Sequence, residues 1–400
     1  MIVNKSKQIL KKPNMKKIIL LALLACTVSA YAQPGGGQQQ SLPAGLTPLP
    51  SNINKNGYPA VTDDYRVVFR MRAPQAQKVQ VDLGRVYDMT KDADGFWTVT
   101  TAPQDPGFHY YSLVLDGISV ADPASESYFG MGRMASGVDI PEKGVTFHEL
   151  RDVPRGTIRS EWYFSKVTNS WRHMNVYTPP GYDTDVNKKY PVMYLWHGGG
   201  EDERGWAQQG RTDIILDNLI ADGKAVPMII VIGNGNASSA RGTGGYANAA
   251  MDVFKEELAE VIIPYVENRY RTYTDAKHRA ISGLSMGGGQ SYYTGLRNPE
   301  LFSAIGVYNS GLFGMNTDAP LYDAESEIPG ILTNPKRWND ALDVFYISCG
   351  EGDPRIEPTR RAVQRFREAG LDVHFSSFPG GHEWHPWRKA LHEFAQLIFK

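Results

Sequence analysis

Ser285 stands in Gly283-Leu284-Ser285-Met286-Gly287, directly after the strand-like run Arg279-Ala280-Ile281-Ser282 and before a helical segment starting near Gly288. A serine flanked by glycines on a strand–turn–helix corner can hold its hydroxyl above a sheet, because glycine tolerates the strained turn and the close backbone approach. The helix N-terminus behind it stabilises negative charge developing on a substrate. The chemistry is nucleophilic attack on a carbonyl, and it needs a base and an acid that orients the base. On such a corner both follow the nucleophile in the chain, acid first and histidine second. Four histidines lie downstream: His374, His382, His385 and His392. His374 falls inside the alternating run Val373–Phe378 and His392 on the terminal amphipathic segment, both structural settings. His382, in Pro379-Gly380-Gly381-His382-Glu383-Trp384, comes after that run and before the last helix, where the base is expected. His385 is its rival.

For the acid, the strand Val344–Ser348 runs into Cys349-Gly350-Glu351-Gly352-Asp353-Pro354. Asp353 is the expected partner of His382, with Glu351 as the rival. Cys349 sits at a buried strand end without a basic neighbour and reads as packing, not as a thiol nucleophile. Acyl transfer also needs two donors for the oxyanion. The Met286 amide is one; the other belongs to the loop His197-Gly198-Gly199-Gly200, where Gly199 is expected and Gly198 and Gly200 are alternatives. His197 precedes the nucleophile and reads as a loop-shaping side chain. The sequence has no HExxH, paired CxxC, P-loop or Rossmann fingerprint, so no metal or nucleotide cofactor is implied.

The elements that must position these residues alternate between strand and helix after about Gly156. Apolar runs at Val192–Trp196, Met228–Ile232, Ala304–Tyr308 and Val344–Ile347 alternate with helix-period segments at Thr212–Asp222, Val253–Arg269, Arg360–Ala369 and Trp387–Phe399. Continuous apolar strands between helices predict a mostly parallel sheet covered on both faces. Upstream the texture differs. Short alternating runs at Arg66–Arg70, Val79–Leu83, Phe96–Thr100 and His109–Leu115, punctuated by Gly95, Gly107 and Gly117, predict an antiparallel sandwich. Residues 33–58, with Gly35-Gly36-Gly37 and Gln38-Gln39-Gln40, read as a low-complexity linker. The expected boundaries are therefore a leader at 1–32, the linker at 33–58, the sandwich at 59–154 and the α/β domain at 155–400.

The chain has 400 residues, enough for two domains, and its 42% hydrophobic share suits a sizeable core. The formal charge of −1 hides an asymmetry: residues 1–32 hold six lysines and no acid, leaving 36 basic against 43 acidic residues elsewhere, a net −7. An acidic body without a basic stripe argues against nucleic acid as a partner. Lys16-Lys17, the apolar run Ile18–Ala25 and Ala30-Tyr31-Ala32 read as a secretory signal peptide, too short to span a bilayer. Leu23-Leu24-Ala25-Cys26 loosely matches a lipoprotein box, the minority alternative to free export. Of the two cysteines only Cys349 lies beyond that leader, so no intrachain disulfide is expected. No further stretch suits a membrane span, and the oligomeric state is open.

Val176-Tyr177-Thr178-Pro179-Pro180-Gly181-Tyr182, Leu195–Gly200, Arg279–Gly288 and Pro379–Arg388, as an ordered set, resemble the esterase D superfamily. Within it the chain is similar to carbohydrate esterase family 1, the feruloyl and acetyl-xylan esterases. The resemblance covers roughly residues 155–400. It implies an α/β-hydrolase fold, a triad of Ser285, Asp353 and His382, and hydrolysis of feruloyl or acetyl esters on a polysaccharide such as arabinoxylan. Pro106-Gly107-Phe108-His109-Tyr110-Tyr111, Asp116-Gly117 and Asp122-Pro123 resemble the immunoglobulin-like N-terminal modules of isoamylases and family-48 carbohydrate-binding modules. That likeness implies a sugar platform, for which Trp97, Tyr110 and Tyr128 are candidates; Trp384 is the candidate substrate contact in the esterase. Tyr110 and Tyr111 must face opposite sides of one strand, so at most one can join a platform. The alternative role for the module is packing against the esterase and walling one side of its cleft.

The two-domain arrangement is also similar to enterochelin esterases, which gives a siderophore ester as the alternative substrate; the export leader favours the polysaccharide. A carbohydrate-binding protein with an inactive hydrolase domain is the alternative from another class, opposed by the serine, acid and histidine in working order. A prolyl-oligopeptidase-type peptidase uses the same corner, but about ninety sandwich residues cannot form its propeller.

Overall fold

The computed structural model describes residues 42–237 and 248–400. The expected signal peptide, Cys26 and the glycine- and glutamine-rich stretch up to residue 41 lie outside the described residues.

Alternating side chains build two antiparallel sheets upstream of the hydrolase. One runs Thr47–Pro48, Ala60–Val61, Arg66–Arg72, Phe96–Pro103, Thr90–Lys91 in spatial order. The other runs Ser127–Gly130, Arg133–Ile140, Gly107–Leu115, Val79–Asp82, Val86–Asp88, with Ile118–Val120 beside Gly107–Leu115. Their inner faces share a core of Val67, Phe69, Val81, Tyr111, Leu113 and Val138, with the Phe69 and Tyr111 rings 4.8 Å apart. The sandwich starts earlier than the expected boundary at 59. Thr47–Pro48 pairs with Ala60–Val61, Leu49 is buried, and the Asn52 side chain donates to the Pro59 carbonyl at 2.8 Å. An apolar anchor and a strand pairing outweigh the local proline content there. Trp97 also departs from expectation. It is 6% exposed, its indole N–H donates to the Ala73 carbonyl at 2.8 Å, and Lys91 covers its ring. Packed among core residues, Trp97 offers no free face to a sugar. Tyr128 is likewise buried, edge-on to Phe108 at 4.8 Å.

Eight strands form the hydrolase sheet: β1 (Thr157–Ser165), β2 (Ser170–Thr178), β3 (Val192–Trp196), β4 (Ile229–Gly233), β5 (Arg279–Leu284), β6 (Ala304–Tyr308), β7 (Val344–Gly350) and β8 (His374–Phe378). The spatial order is β1-β2-β4-β3-β5-β6-β7-β8. β1 pairs antiparallel with β2 and β2 with β4, whereas β3 to β8 are all parallel. This is the α/β-hydrolase arrangement, and loops at the carboxyl ends of the parallel strands carry the chemistry. Helices α1 (Thr212–Ala221), α2 (Asn248–Glu257), α3 (Ile263–Arg269), α4 (Met286–Arg297), α5 (Ile356–Glu368) and α6 (Trp384–Leu397) cover both faces. Helices α2 to α5 share one core with the sheet; α1 and α6 share the other.

Phe108 and Tyr128 of the sandwich belong to that second core. Burying rings of this size contributes about 1.5–3 kcal/mol each. A buried ion pair seals the same contact: Arg388 of α6 donates to both Asp139 oxygens at 2.9 and 3.1 Å, and Arg211 reaches Asp139 at 2.8 Å. Burial alone would raise the Asp139 carboxyl, but the two guanidinium groups hold it well below the usual range. Sandwich and hydrolase thus belong to one compact unit, residues 44–400.

Candidate active site

β5 ends at Leu284 and α4 begins at Met286, leaving Ser285 as the corner residue with φ 51° and ψ −112°. A β-carbon on Gly283 would lie 2.6 Å from the Gly287 backbone, and one on Gly287 would lie 2.5 Å from the Trp196 carbonyl oxygen. The two glycines are therefore what lets the turn close. The Ser285 hydroxyl lies 3.0 Å from His382 Nε2, and His382 Nδ1 lies 2.7 Å from Asp353 Oδ2. An ionised carboxylate only accepts, so Nδ1 carries the proton and Nε2 is free to accept from the serine. The His382 ring leans edge-on against Trp387 at 5.2 Å.

Asp353 follows β7 and is 1% exposed. Its Oδ2 also accepts from the Asn309 side chain at 2.8 Å, and its Oδ1 accepts from the Arg355 amide at 3.0 Å and guanidinium at 2.9 Å. Burial alone would raise this carboxyl; the bonds from His382, Asn309 and Arg355 outweigh it and hold the group well below the usual carboxylate range. Glu351 is directed elsewhere, to Ser377 and to Arg360. His385 is buried on α6, 3.4 Å from Glu142 and packed on Gly107 of the sandwich. His374 is exposed on β8, and the His392 ring packs on Phe147. His197 is fully buried. The Gly235 amide donates to its Nε2 at 3.0 Å, so its Nδ1–H serves the Gly198 carbonyl at 2.8 Å. It shapes the loop. Burial pushes the Cys349 thiol up to about 12, far from a reactive thiolate.

The glycine loop after β3 sits beside Ser285, since a β-carbon on Gly198 would approach the Ser285 β-carbon to 3.3 Å. The Gly198 amide makes a long 3.4 Å bond to Glu201, whereas the Gly199 amide has no acceptor among the described residues. Met286 opens α4, where an amide has no acceptor within the helix. The Met286 and Gly199 amides are therefore unengaged, and the Gly200 amide likewise has no acceptor among the described residues.

A cavity of about 600 Å³ opens over Ser285 and His382. Gly198, Gly199, Glu201, Leu284, Trp384 and Trp387 form its hydrolase side; Leu83, Phe108, His109, Tyr110, Met131 and Arg133 of the sandwich form the other. Trp384 lines this cavity but is 1% exposed and edge-on to Trp206 and Trp387 at 5.2 Å each, so it shapes the wall and offers a substrate little free face. Tyr110 faces the cavity and Tyr111 the sandwich core, as strand alternation requires. Asn309, Arg355 and Glu201 were not readable as site residues from sequence. Only Arg355, two residues after Asp353, carried a local hint. Burial pushes the Glu201 carboxyl up to about 7.

The sequence profile of the family described as "Putative esterase" matches residues 165–397. The chain belongs to this esterase family. A protein of Xylanibacter ruminicola named endo-1,4-beta-xylanase/feruloyl esterase is 35% identical over 365 residues, 89% of this chain and 48% of that protein. The chain thus spans about half the length of that relative. Among solved structures, a ferulic acid esterase from Anaeromyces mucronatus in complex with ferulic acid aligns with TM-score 0.54 and 29% identity, over 65% of this chain and 96% of that one. The enterobactin esterase of Shigella flexneri aligns with TM-score 0.62 over 83% of this chain and 92% of its own, at 16% identity, a likeness of fold.

Proposed function

We propose that the chain is an exported serine esterase that cleaves carboxylic esters on plant polysaccharide side chains, the feruloyl or acetyl esters of arabinoxylan. The observation that carries the reading is the hydrogen-bonded series Ser285–His382–Asp353 beneath an aromatic-walled cavity, in a chain of this family. Ser285 attacks the ester carbonyl while His382 Nε2 takes its proton, and the developing oxyanion sits against the Met286 and Gly199 amides. His382 then gives the proton to the leaving sugar hydroxyl. Water, deprotonated by His382, cleaves the acyl-enzyme, and the proton returns to Ser285. Asp353 accepts from Nδ1 throughout and stabilises the imidazolium.

The rings of Phe108, Tyr110, Trp384 and Trp387 suit a planar aromatic acyl group better than acetyl, which favours the feruloyl ester. The names of the Xylanibacter and Anaeromyces relatives support the same choice. Export is supported by the basic and apolar leader ending in Ala30-Tyr31-Ala32. Burial of Trp97 and Tyr128 favours a cleft-walling role for the immunoglobulin-like module over a sugar platform built on those rings. The test compares kcat/KM for methyl ferulate, acetylated xylan and a ferric siderophore. Methyl ferulate should be the best substrate. Faster turnover of the siderophore would replace this reading with the siderophore esterase.

A further inference from the structure

We propose that the Tyr110 hydroxyl of the sandwich positions the oxyanion turn Gly198–Gly200 through the Glu201 carboxyl, making the sandwich part of the acyl-transfer machinery. The inference rests on the reading of Ser285 as nucleophile and of Gly199 as an oxyanion donor.

The donor inventory fixes the direction of each bond. Gln209 Nε2 donates to the Phe129 carbonyl at 2.8 Å and to the Tyr110 oxygen at 2.7 Å, which orients that amide and uses both its protons. The Trp384 indole, a donor only, reaches the same oxygen at 3.2 Å. A phenol has one proton and two acceptor lone pairs. Both lone pairs are filled, so the proton goes to the remaining neighbour, Glu201 Oε1, at 3.2 Å. The hydroxyl occupies space left by Gly130, where a β-carbon would stand 2.2 Å from it. Three elements, the sandwich, the loop after β3 and the start of α6, therefore meet on one oxygen.

The other carboxyl oxygen of Glu201 takes the 3.4 Å bond from the Gly198 amide, while the Glu201 amide donates to the Gly198 carbonyl at 3.3 Å. Glu201 thereby closes the turn that presents the Gly199 amide. The sandwich holds the same turn a second time: the Gly132 amide donates to the Gly200 carbonyl at 2.7 Å. Raised by burial, the carboxyl is partly neutral near pH 7 and does not set a full negative charge beside the oxyanion. An amide out of place weakens an interaction made only with the transition state, so the loss falls on kcat and spares KM.

The test uses the full chain with p-nitrophenyl acetate and methyl ferulate. Tyr110→Phe keeps the ring in the wall and removes the hydroxyl, so Glu201 loses its donor and Gln209 and Trp384 lose an acceptor; kcat should fall about tenfold with KM within about twofold. Glu201→Gln keeps the shape but offers one acceptor where two are used, so an amide hydrogen faces either the Gly198 N–H or the Tyr110 hydroxyl, and it should lose a similar factor. The double variant should be no worse than Glu201→Gln alone, because Tyr110 acts through Glu201. Wild-type kcat in Tyr110→Phe, a change confined to KM, or losses that multiply in the double variant would each overturn the proposal. Ser285→Ala, assayed alongside, separates the two levels. Turnover by that variant would remove the reading of the site itself, whereas its inactivity with a normal Tyr110→Phe removes only the positioning role.

Discussion

The two walls of the cleft are built on different physical terms. On the hydrolase wall the demands are local: a residue at φ 51° between two forced glycines, and loops that deliver a histidine and a carboxylate from adjacent strand ends. On the sandwich wall the demands are tertiary, and the side chains matter through what they meet across the contact. Two buried carboxyls of the hydrolase show the difference, Asp353 bonded within its own wall and Glu201 bonded across the cleft to the sandwich. Asp353 faces His382, Asn309 and Arg355, and is held low. Glu201 faces a neutral phenol and one long amide bond, and burial wins, lifting it to about 7. The lesson is that burial alone does not set a carboxyl's role; the donors brought to it do.

The largest difference is expected between the two candidate acids of the hydrolase wall. Asp353→Asn should lower kcat by about 10⁴-fold, because the wrong imidazole tautomer is then held. Glu351→Gln should stay close to wild type, since that carboxyl serves Ser377 and Arg360 at the surface. Equal losses in a methyl ferulate assay would move the acid away from Asp353.

A smaller effect, on stability, probes the seam. Asp139→Ala leaves Arg388 buried beside Arg211 without a carboxylate and should cost about 3–5 kcal/mol, read as a lower denaturation midpoint. The folded Asp139 carboxyl lies below its unfolded value, so its contribution is present above about pH 4 and is lost as the pH falls through the folded value. The wild type should therefore lose stability on acidification below about pH 4 more steeply than Asp139→Ala does. Parallel pH curves would show that the pair does not hold the seam.

The smallest effects separate the two tryptophans. Trp97→Phe should leave KM for feruloylated arabinoxylan unchanged, because that ring is packed inside the sandwich. Trp384→Phe removes a donor to Tyr110 and reshapes the cavity wall, and should raise KM for methyl ferulate severalfold. A polymer-specific loss in Trp97→Phe would reopen the sugar platform.

What could be read from sequence follows the same division. Ser285, His382 and Asp353 stood out because a strained corner demands glycines and because acid and histidine follow strands of recognisable period. The α/β order was legible because buried parallel strands are continuous apolar runs, as in Val192–Trp196 and Val344–Ile347. Asn309 left no such trace. It follows β6 with φ 47° and meets Asp353 only when β6 and β7 pair. Nor did Glu201, whose partner Tyr110 lies on another sheet. Trp97, and Leu49 within the expected linker, depart from expectation for one reason: period and composition say which residues alternate, but not which face another layer covers.

That Ser285 carries the acyl group can be read by mass spectrometry of the enzyme quenched during turnover of p-nitrophenyl acetate. An acetyl adduct is expected on the peptide containing Ser285, accumulating in Asp353→Asn and absent from Ser285→Ala, which should also have lost turnover. An adduct on another residue, or continued turnover by Ser285→Ala, would contradict it.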